Sequence, residues 1–119
     1  MEQKNNIIQS KSRDFAIRIV KLSKYLQKTY RDYVLSQQIL RCGTSIGANV
    51  AESAYAISRK DFLSKIYIAL KECNETLYWL DILYQTSYIN EKMYRSLERD
   101  CMELKRILQS ISKTTKESL

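Results

Sequence analysis

Side chains able to do chemistry are few in this sequence, and their types narrow the options quickly. Histidine is absent, which removes the commonest general base and the commonest metal ligand. Ser-His and Cys-His nucleophiles and His-ligated zinc or iron have no second member here. With only two glycines, no Gly-rich loop offers stacked amides to a phosphate. An enzyme would have to work with carboxylates, tyrosine or lysine. Glu72 and Glu75 suggest carboxylate-bridged metals, but bundles that hold such metals use Glu-x-x-His pairs from facing helices. No catalytic residue, metal or cofactor is expected. Cys42, Cys73 and Cys101 are odd in number, widely spread and each on an apolar rhythm, so three free thiols packed as small hydrophobes are expected. A shared three-cysteine metal site would need them to meet at one level, which their spacing does not demand.

What remains is charge. Twenty basic against thirteen acidic residues give +7 and a pI near 9.4, a balance that favours polyanionic partners, nucleic acid first. Eight of the basic residues fall in the first 31 positions against two acidic ones, Glu2 and Asp14, so this segment carries +6. Lys11, Arg13, Arg18, Lys21, Lys24, Lys28 and Arg31 are the candidate nucleic-acid-binding set, with Tyr25 and Tyr30 available to stack on exposed bases. The alternative is an ordinary solvated face that keeps the protein dispersed.

Such a face needs helices to carry it. Proline is absent and glycine rare, so hairpin chemistry is scarce and long helices are the default. A length of 119 residues, 45% hydrophobic and 28% charged, suits one folded domain. From about 6 to 28, Ile8, Phe15, Ile19, Leu22 and Leu26 mark one helical face, with the basic residues roughly opposite. A second helix, 33–56, keeps a four-three rhythm through Leu35, Ile39, Cys42, Ile46, Asn49 and Ser53. Its second half is built of small residues, and Gly43 and Gly47 each cost about 1 kcal/mol against Ala in a helix interior, so a tight helix contact must offset them. Ser58 with Asp61 opens a third helix, 59–85. Asp61 with Lys65 and Lys71 with Glu75 are its expected ion pairs. Asn90 caps a fourth, 91–112, after which the polar tail is expected to fray. Short connections force neighbours antiparallel, which gives an all-α, up-down-up-down four-helix bundle. No apolar run approaches the ~20 residues of a membrane span and the first ten residues are polar, so a cytoplasmic location is expected.

Arg41, Ser45, Asn49 and Glu52 fall near one side of the second helix. They read as a structural polar network with Glu75, in which Asn49 fixes register and Arg41 pairs with Glu52 or Glu75; a polar binding site is the other reading. Tyr33, Tyr55, Tyr67, Tyr78, Tyr88 and Tyr94, several of them off the main seams, suit a subunit interface.

The run from Leu40 to Glu52, with Gly43, Ser45, Gly47 and Asn49 in it, is followed by Asp61-Phe62 and by Ile68 to Leu80. Together these residues resemble the small four-helix bundle family first met in intervening sequences of bacterial large-subunit ribosomal RNA genes, over roughly residues 10 to 112. Lys71-Glu72 and Ser53 stand where the commonest form of that family has a Gly-Ser pair and a Gly. The resemblance implies a homopentameric ring of bundles. It extends distantly to the accessory variability determinant of diversity-generating retroelements, a basic pentamer that binds nucleic acid and partners a reverse transcriptase. The expected function is thus a non-catalytic homo-oligomer that binds nucleic acid or serves an RNA- or DNA-processing partner such as a reverse transcriptase. The alternative is a purely structural protein-protein interaction scaffold.

Overall fold

A computed structural model describes residues 2–119 as four helices: α1 (Glu2–Tyr30), α2 (Val34–Ser53), α3 (Arg59–Gln85) and α4 (Glu91–Glu117). Each buries the stripe that its apolar spacing marks out, with Ile8, Phe15, Ile19, Leu22 and Leu26 of α1 meeting Ile39, Cys42 and Ile46 of α2, Ile66, Cys73 and Leu80 of α3, and Leu97, Leu104 and Leu108 of α4 in one core. Among the described residues, each helix packs on its sequence neighbours and α1 closes on α4, with no diagonal packing. The result is an antiparallel up-down-up-down bundle of 47 × 22 × 19 Å. Its four seams are unequal: the backbones of α1 and α4 approach each other least closely.

The breaks are fixed by hydroxyl, amide and carboxyl caps, since no glycine is spared for them. The amide of Asp61 donates to Ser58 Oγ at 3.0 Å, and the Asp61 carboxylate accepts from the Ile57 amide at 3.1 Å, one residue before the usual return partner. The amide of Met93 donates to Asn90 Oδ1 at 2.8 Å. Asp32 holds the start of α2 by accepting from the Leu35 amide at 2.8 Å. Arg31 closes α1 in the left-handed region, φ 54°, with its amide donating to the Gln27 carbonyl at 2.9 Å, the position that glycine most often fills.

Three expectations change. Helix α1 begins at Glu2 rather than near residue 6, because Ile8 is buried and Lys4 Nζ reaches Ser110 Oγ at 2.6 Å. The tail does not fray at 112: α4 runs to Glu117, since Ser112 and Thr115 are buried and satisfy their hydroxyls on the Gln109 and Ile111 carbonyls. The pairs Asp61 with Lys65 and Lys71 with Glu75 do not form. Asp61 is engaged at its cap, Lys65 turns to Glu52 at 3.5 Å and Glu75 takes Arg41.

The small residues of α2 do bring backbones together. A Cβ on Gly43 would lie 2.7 Å from two Ile19 side-chain carbons, and one on Gly47 would lie 3.1 Å from the Ser12 carbonyl oxygen. The three cysteines are free and buried. Burial pushes the Cys42 thiol up to about 11, and contact with Cys73 together with burial drives Cys101 far above the ordinary thiol range. Thiolate is the reactive form. Native protein should therefore leave all three thiols untouched by Ellman's reagent at pH 8, with three per chain reacting at once in denaturant; rapid labelling of any of them in the folded state would contradict this packing.

Candidate nucleic-acid interface

The outward side of α1 is where its cations were placed by spacing, and the structure divides them into three groups. Toward α4, Lys11 Nζ lies 3.1 Å from Glu103, and Arg18 Nη1 lies 2.6 Å from Asp100. Arg18 also donates to the Ser96 hydroxyl at 3.0 Å. These two are engaged within the bundle at the α1/α4 seam. Toward α2, Arg13 sits 3.9 Å from Asp14, both well exposed, and lines a shallow groove of about 450 Å³ with Gln9, Ala16, Gly47, Ala48 and Tyr55. Exposed ion pairs of this kind contribute little to stability, at most about 1 kcal/mol each. The third group is Lys21, Lys24, Lys28 and Arg31: all four are exposed, and among the described residues no carboxylate approaches within 4 Å of them.

A second set of cations joins them from α4. Lys92, Arg99, Arg106 and Lys113 recur every seven residues, so they share one side of the helix. All are exposed, and none has an acidic partner among the described residues. The acidic residues between them point elsewhere: Glu98 accepts from Tyr94 Oη at 2.7 Å, while Asp100 and Glu103 face α1. The sequence reading missed this stripe, although its heptad spacing was there to be seen.

Tyrosines gather where α1 ends. The rings of Tyr25 and Tyr30 meet edge to face with centroids 6.1 Å apart, and Tyr30 meets Tyr88 in the same way at 4.9 Å. Tyr88 Oη donates to Asp32 at 2.8 Å. Asp32 is held below the usual carboxylate range by the Leu35 amide and by this hydroxyl, and the Tyr88 phenol is raised in return by Asp32. Both stay in the form that keeps the bond across neutral pH. Beside Tyr25, the α1/α4 seam opens into a groove of about 370 Å³ lined by Arg18, Lys21, Leu22, Tyr25, Met93 and Leu97.

The polar set on α2 resolves differently from its expected form. Arg41 pairs with Glu75 and lies 3.7 Å from Glu72, joining α2 to α3, and Trp79 Nε1 donates to Glu75 at 3.3 Å. Glu52 is outside this group and faces Lys65. Ser45 and Asn49 bond the carbonyls of Arg41 and Ser45 on their own helix. The set is an interhelical clamp with two self-satisfied neighbours. Among the described residues no cluster of Cys, Asp or Glu has the makings of a metal site, and no helix is long and apolar enough to cross a membrane.

A family model described as 23S rRNA-intervening sequence protein matches residues 4–110. A crystal structure from Bacteroides thetaiotaomicron, of a protein with unknown function from the S23 ribosomal protein family, is 50% identical over 92% of this chain and 98% of that one, with a TM-score of 0.91. No curated protein matches the chain.

Proposed function

Because this chain belongs to the family of 23S rRNA-intervening sequence proteins, we propose that it is a non-catalytic, cytoplasmic homo-oligomer that binds nucleic acid through the outer faces of α1 and α4. One observation carries the reading: Lys21, Lys24 and Lys28 of α1 and Lys92, Arg99, Arg106 and Lys113 of α4 are all exposed and lack acidic partners among the described residues. Unpaired cations along rigid helices are what a phosphate backbone needs in order to exchange its counterions for protein charge. The family's link in name to ribosomal RNA makes RNA the first polyanion to try. A pentameric ring, implied by the resemblance, would repeat this face around the assembly so that weak contacts add through avidity, and the same face would suit an accessory to an RNA- or DNA-processing enzyme such as a reverse transcriptase.

Self-association has its own support. Ile17, Val20, Tyr55 and Ile57 are exposed, Ile57 by 94%, and Tyr55 borders the shallow alanine-lined groove between α1 and α2; apolar surface of this kind is poorly matched to water. This is also what favours the scaffold alternative, so the two readings are separated by binding. Structured RNA and duplex DNA are titrated at two salt concentrations with wild type and with Lys21→Gln/Lys24→Gln/Lys28→Gln, and masses are measured in solution. The triple variant should keep its mass and lose about 2 to 3 from the slope of log affinity against log salt, at roughly 0.7–0.9 per phosphate contact. Equal affinity of the two proteins would discard this face; absence of binding by either would leave the scaffold.

A further inference from the structure

We infer that the groove beside Tyr25 receives one unpaired base of a single-stranded polynucleotide, with Tyr25 as the stacking ring and Lys21 as the contact to its phosphate. The inference rests on the nucleic-acid reading above and makes its ligand class specific. The groove's lining is unusual for a surface depression on a bundle. Its floor is apolar, Leu22 and Leu97 being 4% and 3% exposed, and Met93 adds a soft, polarizable thioether. Its rim carries Lys21, which has no acidic partner among the described residues, and Arg18, whose charge is met by Asp100 at 2.6 Å; no carboxylate is among the lining residues themselves. At about 370 Å³ it falls within the range of small-molecule sites. A flat ring, an apolar floor and the unpaired ammonium of Lys21 at the edge complement a nucleobase followed by phosphate.

Tyr25 is set up for this. It is 38% exposed, so one part of the ring is open, while Tyr30 packs against it near the perpendicular; Tyr30 packs on Tyr88 in turn, and Tyr88 is held by Asp32. A ring already held in place loses little freedom when a base lies on it. Arg18 is likewise fixed, by Asp100 and Ser96, so its guanidinium stands at the rim without needing to be ordered. Lys28, two turns along α1 from Lys21, and Lys92, next to Met93, continue the positive path beyond the groove. A duplex buries its base faces and would use only that path. An unpaired strand would use the path and the ring, and stacking of this kind is tolerant of sequence because every base has a π face.

The test is fluorescence anisotropy with three labelled probes: a 12-nucleotide adenine RNA, the same sequence as DNA, and a blunt hairpin duplex. Wild type should bind either or both single strands more tightly than the duplex. Tyr25→Ala should weaken single-strand binding about ten-fold or more while leaving the hairpin affinity and the salt slope unchanged, and Tyr25→Phe should restore it to within about two-fold. Should Tyr25→Ala fail to fold by circular dichroism, Met93→Glu, which puts a like charge for the phosphate into the groove, should give the same selective loss. If the hairpin binds as before and the single strands are indifferent to both variants, the groove inference falls and the cationic face stands. If folded wild type binds none of the three probes, both fall.

Discussion

Gly43→Leu should cost the bundle more than about 3 kcal/mol, seen as a fall in melting temperature well above 10 °C. Already a single methyl at this position would sit 2.7 Å from two carbons of Ile19. Ile19 has no room to yield: it is fully buried, and its β-branch fixes χ1 in a helix. Two effects oppose each other for the smaller change. Gly43→Ala recovers about 1 kcal/mol of helix propensity and incurs an overpacking cost of about 1 to 3 kcal/mol, so its net loss is small. Leucine adds three further carbons to the same clash and recovers no more propensity, so packing decides. The cause is checked by a double-mutant cycle in urea. Gly43→Leu should be much less harmful in an Ile19→Ala background, since the leucine can occupy the vacated space. A Gly43→Leu protein that melts like wild type would refute the close α1/α2 contact.

Phe15→Ala should cost about 3 to 5 kcal/mol, about a fifth or more of the stability of an ordinary domain. Phe15 is 2% exposed and lies beneath the seam that carries Lys11 with Glu103 and Arg18 with Asp100, next to Leu104. The ion pairs above it are each about two-fifths exposed and cannot replace what the ring supplies. Removing the ring leaves a cavity under the most loosely packed of the four seams, where the neighbouring backbones are least able to close over it. Phe15→Leu, which keeps most of the volume, should lose much less. Urea midpoints of the three proteins measure the difference, and equal loss for Ala and Leu would mean that volume at this site is not what holds α1 to α4.

The bundle was legible because the apolar positions repeat: Ile8 through Leu26 and Leu97 through Ile111 are buried as their spacing required, as are Leu63, Ile66, Cys73 and Leu80, with Leu70 and Leu77 half-buried beside them. The caps Ser58 and Asn90 were legible for the same reason, being local. What spacing could not tell was which shoulder of α1 meets which neighbour. A wheel separates inside from outside, and it took the fold to show that Lys11 and Arg18 face Glu103 and Asp100, more than eighty residues away in sequence. The stripe Lys92, Arg99, Arg106 and Lys113 was hidden by counting net charge along the segment, where Glu91, Glu98, Asp100 and Glu103 dilute it; in the fold those carboxylates turn to Arg95, Tyr94, Arg18 and Lys11 and leave the stripe clear. The expected pairing of Arg41 with Glu52 fails within one chain, since eleven residues of helix span about 16 Å. Arg41 finds Glu72 and Glu75 across the α2/α3 contact instead.

The inequality of the four seams also sets an order of failure. With α1 held firmly to α2, α2 to α3 and α3 to α4, the molecule behaves less like a closed square than like a folded strip whose two ends are fastened last. Its lowest-energy breathing motion is the parting of those ends, so amide exchange along the facing sides of α1 and α4 should outpace exchange in the α2/α3 half. Any ligand that spans the gap stabilises the closed form by mass action, and would announce itself as slowed exchange in residues it never touches.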